Sequence, residues 1–259
     1  MTVSAGTWLR RYRPSPAART RLICFPHAGG SASFFVPWAN RLSPTVEVLA
    51  VQYPGRQERR AEPLVDDLQA MVEPIVDELA RSSDLPWAIF GHSMGSVLGL
   101  EVAKRLADDR TIQQPAWFIA SGHHAPGRGQ PRGVHRLDDE RLVRVLRKFQ
   151  ATDERFLDDD EMLRMILPIA RNDFTAEETH RYRPGPTLGY PLTAMTGDDD
   201  PWVSVDDAKA WQEQTTSEFD FQVFSGGHFF LLRHQAQILQ HIDGRLRDIE
   251  RSASTPVLP

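Results

Sequence analysis

Two kinds of apolar pattern alternate along this chain: short apolar runs closed by Gly or Pro, and longer segments whose apolar positions recur every three or four residues. The first kind predicts strands at Arg21–Phe25, Val46–Tyr53, Trp87–Phe90, Ala116–Ser121, Leu192–Thr196 and Phe219–Phe224, with a short edge strand over Trp8–Tyr12. The second predicts helices. Phe35, Trp38 and Leu42 share one face of a short helix over Phe34–Leu42. Leu64, Leu68, Met71, Val72, Ile75 and Leu79 define a longer one, which Pro74 should kink because it removes a backbone donor. Further helices are expected over Met94–Ala107, Asp206–Gln214 and Arg233–Arg251.

Strands and helices in alternation imply an α/β fold, a mostly parallel twisted sheet with helices on both faces. In such sheets ligands gather at the carboxyl ends of the strands. About seventy residues separate Ser121 from Leu192, too many for a plain loop. They carry two helical patterns, one through Leu137, Leu142, Val145, Leu146 and Phe149, the other through Met162, Leu163, Ile166, Leu167 and Ala170. The expected organisation is therefore a core of residues 1–122 and 187–251, a helical lid insertion at 123–186 and a flexible tail at 252–259.

Composition narrows the function classes. The chain has 259 residues, 41% of them hydrophobic, enough for a sizeable core. A net charge of −5 argues against a nucleic-acid binder. One cysteine excludes an internal disulfide, and no Cys cluster suggests a metal site. Neither a signal peptide nor a membrane span is apparent, so a cytoplasmic protein is expected. Cys24, inside an apolar strand, reads as a buried small hydrophobe. The adjacent pair His123 and His124 should point apart on extended backbone and so should not bind a metal, though either could line the site entrance.

The chemistry centres on Gly91-His92-Ser93-Met94-Gly95, between a strand and a helix. That context gives a Gly-x-Ser-x-Gly match its meaning: a strained turn that exposes a serine hydroxyl above the strand ends. A serine hydroxyl needs a base, and the base an orienting carboxylate. Strand Leu192–Thr196 runs into Gly197-Asp198-Asp199-Asp200-Pro201, and strand Phe219–Phe224 into Ser225-Gly226-Gly227-His228. Ser93, an aspartate and His228 thus follow one another in α/β-hydrolase order. Asp200 is favoured as the acid because Pro201 stiffens the turn behind it, with Asp198 and Asp199 as alternatives. His234 and His241, seven apart, should share a face of the last helix instead. Backbone N–H groups of Met94 and of Ala28, in Pro26-His27-Ala28-Gly29-Gly30, are the candidate oxyanion donors.

Charge is uneven in the insertion. From Arg128 to Lys148 seven basic residues face three acidic ones, and from Ala151 to Glu161 six acidic residues face one arginine. Such a basic face could dock an acidic partner, or simply offset the neighbouring acidic helix. Arg56, Arg59 and Arg60 pose the same choice.

At this point the chain resembles the type II thioesterases of polyketide and nonribosomal-peptide pathways. The resemblance rests on Phe25-Pro26-His27-Ala28-Gly29-Gly30, Tyr53-Pro54-Gly55-Arg56, Gly91-His92-Ser93-Met94-Gly95, Leu167-Pro168-x-x-Arg171-x-Asp173-Phe174, Gly197-x-x-Asp200-Pro201 and Gly226-Gly227-His228-Phe229-Phe230. It implies a stand-alone α/β-hydrolase with a mobile helical lid, which frees carrier domains of stalled or wrongly primed acyl groups. By position it makes Ser93 the nucleophile, Asp200 the acid, His228 the base, and the amides of Ala28 and Met94 the oxyanion hole. It also implies carrier domains as partners, a monomer, and no cofactor beyond the phosphopantetheine that the substrate brings. One departure is Ser121-Gly122-His123-His124-Ala125-Pro126, where arginine is expected before Ala-Pro.

Within this reading Phe149, Phe156, Met162, Met165 and Phe174 are candidates for the apolar lining under the lid, and Arg141, Arg144 and Arg147 for carrier docking. A general esterase or acyltransferase of the same fold, or a non-catalytic hydrolase-like binding module, are the alternatives.

Overall fold

Strand-forming runs and helical periods alternate in space as they do along the chain. The computed structural model describes residues 8–82, 84–109, 111–149 and 154–254. The first half contains β1 (Leu9–Arg10), β2 (Thr20–Phe25), α1 (Val36–Arg41), β3 (Val46–Val51), α2 (Leu68–Ser82), β4 (Trp87–His92), α3 (Met94–Ala107) and β5 (Trp117–Ser121). Then come α4 (Asp139–Phe149), α5 (Glu154–Leu157) and α6 (Asp160–Thr179), and the chain re-enters the sheet. It ends with β6 (Leu192–Gly197), α7 (Val205–Lys209), β7 (Phe219–Phe224), α8 (Phe230–Arg233) and α9 (Gln235–Ser254).

Among the described residues the strands form one sheet in the order β1-β3-β2-β4-β5-β6-β7. Only β1 is antiparallel, at the edge, pairing Leu9 with Val51. The other pairings are parallel, as the alternation predicts, so both sheet faces must be covered. Successive side chains divide between the two faces. Ile23, Phe25, Ile89 and Phe118 pack with Leu98 and Val102 of α3 and with Ile75 of α2. Leu22, Cys24, Phe90 and Ile119 pack with Trp38 of α1 and with Ile238 and Ile242 of α9. A third apolar cluster holds Leu142, Leu146, Phe149, Leu157, Leu167, Ala170 and Phe174 of α4–α6 against Ala28, Trp202 and Phe229 of the core. No described helix is long and apolar enough to cross a membrane.

Differences from expectation are local. α2 begins at Leu68 rather than near Leu64, because Asp67 Oδ1 accepts the Gln69 N–H at 2.9 Å and sets the first turn there. It continues through Pro74 to Ser82. The predicted final helix is broken at His234, which belongs to neither α8 nor α9 and so does not share a helix face with His241. α9 runs to Ser254, so residues 252–254 of the expected tail are helical; residues 255–259 lie outside the described residues.

The elbow between β4 and α3 leaves no room for a side chain at either glycine. A Cβ on Gly95 would sit 2.1 Å from the Phe25 carbonyl oxygen, and one on Gly91 would sit 2.3 Å from the Gly95 oxygen. Both neighbours are backbone and cannot step aside. Gly95→Ala is therefore expected to destabilise the protein by about 3 kcal/mol or more, read as a lower urea midpoint or as insoluble expression. A variant as stable as the parent would show that α3 can shift.

Candidate active site

Ser93 connects β4 directly to α3 with φ 54° and ψ −125°, a left-handed conformation rare for a residue bearing a Cβ. Its neighbours hold it there. Ser93 N–H donates to Ser121 O at 2.8 Å, and Ser96 Oγ donates to Gly91 O at 2.8 Å. The turn ties the ends of β4 and β5 together, with the serine standing above them.

The loops after β6 and β7 are bolted to each other. Asp198 Oδ1 accepts the Gly226 N–H at 2.8 Å, and Asp199 N–H donates to Gly226 O at 3.0 Å. Gly197 allows this approach, since a Cβ there would lie 2.3 Å from the Gly226 oxygen. On this frame His228 Nδ1 donates to Asp200 Oδ2 at 2.7 Å, with the two side chains 5% and 0% exposed. Asp200 Oδ1 accepts the N–H groups of Trp202 at 2.9 Å and Val203 at 3.3 Å. A carboxylate oxygen can only accept, so Nδ1 carries the proton and Nε2 is the basic nitrogen of the ring. Asp198 and Asp199 are exposed and do not reach the imidazole; Asp198 is spent on the Gly226 amide rather than merely solvated.

Ser93 and His228 line the same two cavities, though no hydrogen bond joins them in this structure. The N–H groups of Ala28 and Met94 have no acceptor among the described residues. One cavity, about 280 Å³, extends past Val97, Gly122 and His123 towards Glu177 and Tyr182. The other, about 40 Å³, lies under Ala28, Leu146, Phe149, Ala170 and Phe174. A strand-end hydroxyl, an imidazole held by a buried carboxylate, and two unspent amides, one of them on Ala28 in the wall of the smaller cavity, are what acyl transfer through a serine requires.

The thioesterase domain family matches residues 20–246 of this chain. The chain belongs to that family. It is 40% identical to the thioesterase PikA5 of Streptomyces venezuelae over 252 residues, covering 95% of this chain and 88% of PikA5. Its fold superposes on BorB, a type II thioesterase from the borrelidin biosynthetic cluster, with TM-score 0.86 and 45% identity, covering 95% of this chain and 100% of BorB. RedJ, a thioesterase of the prodiginine pathway in Streptomyces coelicolor, gives TM-score 0.83 at 34% identity over 91% of this chain and 94% of RedJ. The protein is accordingly an α/β-hydrolase acting on thioesters.

Around the site of this thioesterase several expectations change. Phe149 and Phe174 line the smaller cavity, and the Phe149 ring lies 4.7 Å from that of His228. Phe156 and Met165, 48% and 54% exposed, instead face outward, because the helical stripe that packs inward runs through Leu157, Leu167 and Ala170. Met162 is half-buried and lines neither cavity. His123 and His124 do not point apart: Gly122 takes φ 61°, the backbone bends, and the rings meet at 4.1 Å. Both line the larger cavity, where His123 Nε2 lies 3.0 Å from Glu177 Oε1.

Several arginines of the basic clusters are paired with acidic side chains. Arg141 pairs with Asp138, Arg144 with Glu140 and Arg147 with Asp158, all on the surface. Arg56 and Arg59 are buried, Arg56 against Asp173 and Arg59 against Glu62. Sequence reading gave Asp173, Glu177 and Trp202 no role; Asp173 alone left a signal, since it and Arg56 lie in matched family motifs.

Two further imidazoles crowd His228. The His92 ring is 5.2 Å from it and the His27 ring 6.0 Å from His92. Burial pushes the His27 imidazole down to about 3, aided by His228 and Arg56, and holds His92 well below its ordinary range. An unfolded chain would protonate His27 near the ordinary 6.5, so its contribution is complete above that pH and is lost as pH falls towards 3. Within that window His27 alone should lower stability by about 1.4 kcal/mol per pH unit. Urea unfolding between pH 7 and 5 should show this acid slope, and His27→Gln should flatten it; an identical slope in the variant would mean that His27 protonates in the folded state.

Proposed function

We propose that this thioesterase frees acyl and peptidyl carrier domains of stalled or wrongly primed acyl groups, working as a stand-alone monomer on the phosphopantetheine thioester. The observation that carries the chemistry is the buried 2.7 Å bond from His228 to Asp200 beside a cavity shared with a strained Ser93. Kinship supports the carrier substrate: BorB is named a type II thioesterase of a biosynthetic cluster, and ClbQ, at 25% identity, comes from the colibactin NRPS/PKS pathway.

In this mechanism His228 Nε2 takes the Ser93 proton as Oγ attacks the thioester carbonyl. The oxyanion that forms is met by the N–H groups of Ala28 and Met94, each worth roughly 2.7–4 kcal/mol of transition-state stabilisation. The C–S bond breaks and the pantetheine sulfur leaves as thiol with the proton from His228. A water then loses a proton to His228 and attacks the acyl-serine, releasing the acid and restoring the Ser93 hydroxyl. Asp200 keeps the imidazole in the required tautomer throughout. No cofactor is needed, because the substrate brings the phosphopantetheine.

Carrier domains would dock on the exposed face of α4. Exchanging surface ion pairs of Arg141, Arg144 and Arg147 for carrier carboxylates costs little, since such pairs are worth only about 0–1 kcal/mol.

Intact-mass measurement after exposure to acylated carrier domains should detect an acyl adduct that Ser93→Ala abolishes. An adduct retained by that variant would remove Ser93 as the nucleophile. Asp200→Asn should lower kcat by a factor on the order of 10⁴, and unchanged turnover would transfer the acid role to Asp198 or Asp199. A strong preference for oxyesters over matched thioesters would favour a general esterase. Reversing Arg141, Arg144 and Arg147 to Glu should raise KM for an acylated carrier protein and leave a small acyl thioester unaffected; equal loss on both would refute the docking face.

A further inference from the structure

The turn that carries Ala28 is bonded on both sides of that residue. Tyr53 Oη donates to Pro26 O at 2.9 Å, and Gly30 N–H closes onto His27 O at 2.9 Å. Gly29, at φ 77°, sends its N–H to Asp173 Oδ2 at 2.7 Å. Arg56 Nη1 donates to Gly30 O at 3.0 Å. The Ala28 N–H has no acceptor among the described residues, and Ala28 lines the smaller cavity with Ser93 and His228.

Two of those bonds come from a single buried ion pair. Arg56 and Asp173 meet through both ends of the guanidinium, Nη1 to Oδ2 at 2.5 Å and Nη2 to Oδ1 at 2.7 Å, with side chains 4% and 2% exposed. Arg56 Nε is fixed on Pro54 O at 3.2 Å. Asp173 belongs to α6, whose Ala170 faces Gly29 closely enough that a Cβ there would be in ordinary contact with it at 3.7 Å. A buried pair of this kind gains little over apolar packing of the same shape, so its presence at the turn calls for a role other than stability.

We infer that Arg56 and Asp173 are positioning residues for the oxyanion hole. Their ion pair fixes the turn of residues 27–30 so that the Ala28 N–H points at the carbonyl oxygen in its tetrahedral state. Because Asp173 is on α6, the donor is in place only while α6 is seated on the turn. Lifting that helix removes the acceptor of Gly29 N–H and the partner of Arg56, and lets the turn relax. α6 is thereby part of the catalytic frame as well as part of the lid, and seating of the lid and assembly of the oxyanion hole become one event. The inference rests on the proposed roles of Ser93 and Ala28.

The test uses Asp173→Asn and Arg56→Lys in the full chain, with a short acyl thioester of N-acetylcysteamine as substrate. An alkylboronic acid, whose tetrahedral adduct with Ser93 puts an oxygen in the oxyanion hole, serves as transition-state analogue. Misplacing one donor should lower kcat at least about tenfold, keep KM within about twofold, and weaken the boronic acid by the same factor as kcat/KM. Weaker inhibition in step with kcat/KM is a signature that general loosening of the fold would not give. Wild-type boronic acid affinity and kcat in the folded variants, or a raised KM at unchanged kcat, would overturn the inference. Should Asp173→Asn not fold, Arg56→Lys, which keeps the charge but not the fork, is judged by the same comparison. A wild type without Ser93-dependent turnover would defeat the functional reading itself; an active wild type matched by an equally active Asp173→Asn would defeat only this inference.

Discussion

The first turn of α3 lies so close to the end of β2 that Gly95 touches the Phe25 carbonyl with no room for a side chain. The rest of the site is a consequence of that approach. It brings the first turn of α3 against Phe25 and Pro26, where the chain leaves β2 towards Ala28. It also forces the one intervening residue, Ser93, into its left-handed turn. The strain at Ser93 is held by bonds to β5 through Ser121, so neighbouring parallel strands together sustain a conformation that the local chain would not adopt.

Around this elbow ionisable groups are kept in fixed and largely neutral arrangements. His27 and His92 are buried as uncharged rings beside His228, which keeps further positive charge away from that imidazole. Arg56 and Asp173 enter together as a closed pair, and Asp200 is spent on one imidazole and two backbone amides. Each buried charge has a partner at hydrogen-bond distance, the condition under which burial strengthens rather than abolishes an electrostatic role.

The segment between β5 and β6 contributes more than a cover. α4 and α6 supply Phe149 and Phe174 to the cavity wall and Asp173 to the turn on the opposite side. Along α4 Arg141 and Arg144 pair with acids three and four residues back, and Arg147 reaches Asp158 of the acidic block.

Strand and helix positions, the parallel sheet and the strand-end location of Ser93, Asp200 and His228 were readable from the sequence, because each depends on local periodicity or on Gly and Pro punctuation. Chain order brought the three residues to loops at one rim and Pro201 favoured Asp200, but only the tertiary structure shows what each of the three consecutive aspartates touches. Asp200 is buried against His228 while Asp198 is turned to the Gly226 amide. Likewise a helical pattern shows that Met162, Met165 and Phe174 recur on a helix, yet which stripe meets the core depends on what packs against it: Phe174 is inside and Met165 is out. The Arg56–Asp173 pair joins residues 117 apart in sequence. No local rule connects such positions; only the packing of α6 onto the loops after β2 and β3 brings the two charges together and takes them out of water.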